Sequence, residues 1–227
     1  MLRRLAPTFA WWLVLIGAAL ILWNRLPDLA RLPGLPGAST SRVAFDAWVR
    51  EDTQRRAEFA ELQAFLRARE VADVVPAWQL TRIDAHYAAR CDLPVFRMPP
   101  RELWDNVVAP LRLVREEVEP VVGPVQVLSS YRTPELNACA AGASRSNHLD
   151  FSALDLATQD RRRGEALYRE LCAMHQRAGS ASRMGLGAYY DLADPGFGGG
   201  RFHIDAGGYR SWGRGYRSAS SPCRSFR

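Results

Sequence analysis

Ser146-Asn147-His148-Leu149-Asp150-Phe151-Ser152-Ala153-Leu154-Asp155 begins as a polar loop and ends as an apolar strand, and Phe202-His203-Ile204-Asp205 answers it far downstream. Successive side chains of a strand point to opposite faces. His203 and Asp205 therefore share one face, while Phe202 and Ile204 enter the core. Asp155 lies near the end of a strand over residues 153–157. If the two strands are neighbours, Asp155 and His203 project from one face of a sheet, and His148 folds back over that face from the loop. The chain has four histidines in all, and two of them fall in this pattern.

Around these strands the periodicities predict helices early and strands late. Phe45, Trp48, Val49, Phe59, Leu62, Phe65 and Leu66 recur near a period of 3.6, which predicts a helix over 43–72 that Pro76 ends. Pro99-Pro100 introduces a second helix over 102–118, with Pro120 and Pro124 at its exit. A short strand follows over 125–129, then a polar loop over 130–147 with at most a helical turn. Asp160 is the candidate N-cap of a third helix over 161–178, which Gly179 closes. Strands over 185–190 and 201–204 flank a Gly-rich loop at 194–200. This order predicts an α+β fold: a small, largely antiparallel sheet with helices packed on one side.

The 227 residues allow one domain of ordinary size and an appendage, and a 48% apolar content excludes a disordered chain. All 30 basic residues are Arg, which reads as codon bias. No clustered basic stripe or motif points to nucleic acid, so none is expected as a partner. Phe9 to Trp23 is unbroken apolar sequence preceded by Arg3 and Arg4. Extended back to Ala6 it gives about eighteen residues, enough to span a thin membrane. No small-x-small cleavage site follows Trp23, and the Arg pair favours a cytoplasmic start. The expected organisation is a cytoplasmic start and transmembrane signal anchor (1–24), a Pro/Gly linker (25–42), a helical extension (43–94), the main domain (95–213) and a basic tail (214–227). The anchor places the domain in the periplasm of a bacterial inner membrane protein.

Cys91, Cys139, Cys172 and Cys223 contain no C-x-x-C pair, so an exported domain is expected to carry two disulfides, with three possible connectivities. The preferred pairing is Cys91–Cys139, which tethers the loop ahead of His148, and Cys172–Cys223, which ties down a polar tail.

Two His and one carboxylate form the ligand set of a catalytic zinc whose fourth position stays open for water. Singly, His148 reads as a surface loop residue and His203 as a core-edge residue; with Asp155 they read as a metal site. His86 and His175 lack a partner at useful spacing and read as ordinary structural residues. Tyr189, Tyr190 and Phe197 flank the presumed cleft.

Ser129-Ser130-Tyr131-Arg132-Thr133-Pro134-Glu135-Leu136-Asn137, Ser146-x-His148-x4-Ala153-x-Asp155, Gly185-x-Gly187-x-Tyr189, Phe202-His203-Ile204-Asp205-x-Gly207 and Arg210-x-Trp212 occur in that order. Over roughly residues 95–213 the chain thereby resembles the zinc D-Ala-D-Ala carboxypeptidase family, and most of all its bacterial murein endopeptidases. The resemblance implies an α+β zinc peptidase acting on peptidoglycan peptides, with His148, Asp155 and His203 as zinc ligands and Arg132 as the anion-stabilising residue. Arg132 would meet a developing oxyanion or a substrate carboxylate; otherwise it ties down its loop. Tyr131 and Asn137 read as scaffold.

Two positions depart from that family. Relatives carry Gly three residues after the first His ligand, where this chain has Phe151, a bulky group expected close to the metal. The general base, Glu three before or His two before the last ligand, is replaced by Gly200 and Arg201. Asp205 is the substitute catalytic candidate, either as that base or as a carboxylate fixing the tautomer of a ligand His. Asp191 and Asp194 are weaker candidates. Three functions remain open: an endopeptidase, a D-Ala-D-Ala carboxypeptidase, and a non-catalytic zinc-containing protein that binds peptidoglycan.

Overall fold

The computed structural model describes residues 40–226. The expected anchor and nearly all of the linker lie outside the described residues. Among the described residues no helix is long and apolar enough to cross a membrane.

Helical structure comes first, in shorter pieces than the periodicity predicts. The expected helix over 43–72 is two helices, α1 (Arg42–Arg50) and α2 (Thr53–Ala68). Asp52 separates them because its carboxylate accepts from the Arg55 amide and caps α2. A short α3 (Ala85–Arg90) begins under a similar cap from Asp84. The next helical run covers Arg101 to Val122: a 3₁₀ segment (Arg101–Val107), α4 (Val108–Leu113), one wide π winding (Val114–Val118) and α5 (Glu119–Val122). Pro120 does not end this run. The π winding directly ahead of it opens the coil for the proline ring, and Gly123 at φ 79° makes the actual stop.

Five strands make one sheet in the order β1-β2-β4-β3-β5. They are β1 (Val125–Ser129), β2 (Ala153–Thr158), β3 (Gly185–Ala188), β4 (Phe202–Asp205) and β5 (Arg210–Trp212). The first three pairings are antiparallel, but β5 joins β3 in parallel, so the sheet is mixed. β5 escapes the sequence reading because Arg-Ser-Trp is three residues long with no apolar alternation. Between β1 and β2 lies α6 (Pro134–Cys139), and between β2 and β3 lies α7 (Glu165–Ala178). Asp160 does not cap α7. Arg161, at φ 60°, turns the chain first, and the helix starts after Gly164 at φ 77°.

One face of the sheet is apolar. Leu154, Leu156, Leu186, Phe202 and Ile204 are fully buried, in one core with Leu111 of α4 and with Leu167 and Leu171 of α7. That core runs without a break into α1 and α2, where Phe45 meets Phe59 edge-on with ring centres 4.8 Å apart. The opposite face carries Asp155, His203, Asp205, Gly185 and Gly187. Both disulfides form as expected, Cys91–Cys139 joining α3 to α6 and Cys172–Cys223 joining α7 to the tail.

Candidate metal centre

Register builds the polar face. Asp155 of β2 pairs with His203 of β4, which pairs with Gly187 of β3, so carboxylate and imidazole stand side by side. The glycines of β3 keep this face open. A Cβ at Gly187 would lie 2.8 Å from the His203 Cβ and 3.0 Å from the Trp212 indole. A Cβ at Gly185 would lie 2.5 Å from an Asp205 carboxylate oxygen. The Gly-x-Gly spacing is thus a steric requirement of the side chains it faces.

His148 folds over the face as the sequence predicts. Its backbone carbonyl accepts from the Arg132 amide at 2.9 Å, and its Nδ1 faces the Ser130 carbonyl. Nδ1 therefore carries the proton, and the Nε2 lone pair is left free. Burial and then the Arg132 charge lower its pKa to about 4, so the ring is neutral. His203 is turned the other way. Its Nε2 lies 3.0 Å from Asp205 Oδ2, and its Nδ1 faces inward.

Four atoms of three residues meet there. His148 Nε2 lies 3.2 Å from His203 Nδ1 and 3.3 Å from Asp155 Oδ2, and His203 Nδ1 lies 3.2 Å from Asp155 Oδ1. All three residues are buried. With Nδ1–H of His148 given to Ser130 and Nε2–H of His203 given to Asp205, the two rings in their neutral forms turn lone pairs toward Asp155. These three residues could hold a metal ion. Burial opposes charge on His203, but hydrogen bonds to Asp155 and Asp205 outweigh it and raise its pKa, an effect that a cation at Nδ1 would oppose. Burial likewise opposes ionisation of Asp155, yet Arg201 and then His148 hold it well below the usual carboxylate range.

Asp205 is fully enclosed. Arg210 grips both its oxygens at 3.0 and 2.8 Å, and the Gly207 amide adds a bond of 2.7 Å. It stands behind His203, at Nε2, while the converging atoms are at Nδ1. Arg132 is near the centre, its Nη2 2.7 Å from Asp155 Oδ2, and its buried Nε has no partner among the described residues. Asp191 and Asp194 lie off the cluster, sharing Arg214 at 3.4 and 3.2 Å.

Phe151 is a correction. It adopts the left-handed φ of 57°, but its ring is fully buried in the main core and does not crowd the converging donors. His175 is structural as expected, its Nε2 3.1 Å from the Met184 carbonyl and its ring stacked on Tyr209.

The sequence reading missed Arg201 and Asp84. Arg201 contacts Asp155 Oδ2 through Nη2 and Asp84 Oδ2 through Nη1 at 2.6 Å. Asp84 and Tyr87 come from the start of α3, and the Tyr87 ring faces the Arg132 guanidinium at 5.7 Å. A cleft of about 560 Å³ lies above the donors, walled by Tyr87, Arg132, Tyr189, Arg201 and Trp212. The only signal for Asp84 in the sequence is its capping position, which says nothing of a partner 117 residues away.

Residues 98–186 match the model of the Peptidase M15 family. The match supports the resemblance to the zinc D-Ala-D-Ala carboxypeptidase-like family and includes Arg132, His148 and Asp155. It ends before His203, which the fold brings to the other two. Peptidases of this family are metal-dependent hydrolases. No curated protein and no solved structure matches the chain.

Proposed function

We propose that the chain is a membrane-anchored zinc metallopeptidase that hydrolyses amide bonds in peptidoglycan peptides, with the specificity of a murein endopeptidase. The observation that carries the reading is the spacing of the converging donors. Tetrahedral zinc with Zn–N distances of roughly 2.0–2.1 Å separates its ligand atoms by about 3.3 Å. The two ring nitrogens lie 3.2 Å apart, and each has a different oxygen of Asp155 beside it, Oδ2 at 3.3 Å from His148 and Oδ1 at 3.2 Å from His203. His148, Asp155 and His203 would hold the ion. When bound, zinc would polarise the scissile carbonyl and acidify water.

The protein's own groups supply the rest. Ser130 and Asp205 fix the tautomers of the two histidines. Asp205 is therefore a positioning residue in this reading, because its oxygens are engaged by Arg210, Gly207 and His203. Arg132 points a permanent charge at the cleft, where it stabilises the negative oxygen that develops on the attacked carbonyl. Tyr189 and Trp212 help to shield the centre from bulk water.

Incubating the full chain with zinc and crosslinked muropeptides, then weighing the products, tests this directly. Opening of crosslinked dimers into monomers is expected. Release of a single terminal D-amino acid would instead make the protein a carboxypeptidase, with Arg132 on the substrate carboxylate. Unchanged muropeptides would leave the non-catalytic reading.

A further inference from the structure

The cleft lacks a general base in either position where the family carries one, and the carboxylates near its centre are all engaged. Asp155 is gripped by Arg132 and Arg201, Asp205 is enclosed behind His203, and Asp84 accepts from three donors. These are the amides of His86 and Tyr87 at 3.0 and 3.1 Å and Nη1 of Arg201 at 2.6 Å. Burial raises the pKa of Tyr189 and of Tyr216, so both phenols keep their protons at neutral pH. One wall group is different. His86 lines the cleft, is exposed, and its ring makes no hydrogen bond among the described residues.

The backbone of His86 is held in place. Asp84 Oδ1 accepts from the His86 amide, Asp84 Oδ2 accepts from Arg201, and Arg201 reaches Asp155. One carboxylate and one guanidinium thus join the His86 backbone to a candidate metal ligand. At the other end of α3, Cys91 is bonded to Cys139 of α6. The helix is fastened at both ends, and the small apolar cluster of Ile83, Ala88 and Leu136 sits between them.

We propose that His86, from the segment ahead of the family match, is the proton-transferring residue of this site. The inference rests on the peptidase reading above. An imidazole with no hydrogen-bond partner can accept a proton on one ring nitrogen and return it. In the reaction, a ring nitrogen of His86 takes a proton from the attacking water as its oxygen bonds to the scissile carbonyl carbon. When the C–N bond breaks, the imidazolium of His86 returns that proton to the departing amine nitrogen. Atoms balance as amide plus water giving carboxylic acid plus amine. Arg201, in the place of the usual base, holds Asp84 and with it the start of α3, so the acid–base group has moved to a different element.

The test is muropeptide turnover and zinc content of the full chain and of its His86→Ala variant, each with and without added imidazole. The expected result is a loss of roughly 10²–10⁴-fold in turnover, unchanged zinc content, and partial recovery by imidazole. His86→Gln should behave as His86→Ala does. Unchanged turnover in the variants would overturn the proposal. So would a loss that imidazole fails to restore or that follows loss of zinc. An inactive wild-type chain would instead overturn the peptidase reading on which the proposal rests.

Discussion

Phe151 shows how one residue can break a family pattern and still fit. A non-glycine residue in the left-handed region costs roughly 1–3 kcal/mol. Complete burial of a Phe ring returns about 1.5–3 kcal/mol, and at Phe151 the ring is fully buried. The residue's identity is written in the chain but its φ is not, so the direction in which the ring turns could not be read. Phe151→Gly should relieve the strain yet empty a core position, and we expect a net destabilisation of about 2–4 kcal/mol in denaturant unfolding. At Asp205, replacement by Asn should weaken zinc binding by about 10–100-fold, with turnover returning in excess metal. Loss of turnover at full zinc occupancy would make Asp205 the base instead. His148 sets a pH dependence in metal-free protein. The unfolded chain takes up its proton below about pH 6.5, whereas the folded ring resists until about pH 4, so stability should fall as pH drops through that window. His203 is raised and already protonated there, and its own contribution is lost only as pH rises through its folded value. Denaturant midpoints of chelated protein at pH 6.5 and pH 4 check the sign.

Among the elements, legibility followed the kind of signal. β1, β2 and β4 carry apolar alternation and were readable to within a residue or two. β5 and the break at Asp52 were not, because a three-residue edge strand and a single capping carboxylate leave almost no periodicity to read. Asp160 misled because a plausible cap lay ahead of a turn that Arg161 and Gly164 actually make. β3 makes its own prediction. Gly187→Ala would drive a methyl group to within 2.8 Å of His203 and 3.0 Å of Trp212. His203 must then shift, so zinc affinity should fall in a titration even where the fold persists. Affinity equal to wild type would show that β3 has slack. The Cys91–Cys139 bond holds α3 on a cluster of only three buried apolar residues. Its removal by paired Ser substitutions should speed amide exchange over residues 84–91 while leaving α7 protected.

Across the whole molecule, the candidate ligands were legible because metal chemistry restricts residue types and spacing, and the ordered motifs carried both. The second wall of the cleft was not. Asp84, His86 and Tyr87 reach the centre through tertiary packing alone, across a sequence separation of 117 residues in the case of Asp84 and Arg201. The apolar run from Phe9 to Trp23 should hold the chain in the membrane fraction, with that run still present on N-terminal sequencing. A mature chain starting near residue 25–40 would make that run a cleaved signal. The most direct test of the account is the metal content of purified protein, wild type beside His148→Ala and His203→Ala. About one zinc per wild-type chain is expected, and essentially none in either variant. Zinc retained in both variants, or none in the wild type after zinc supplementation, would contradict it.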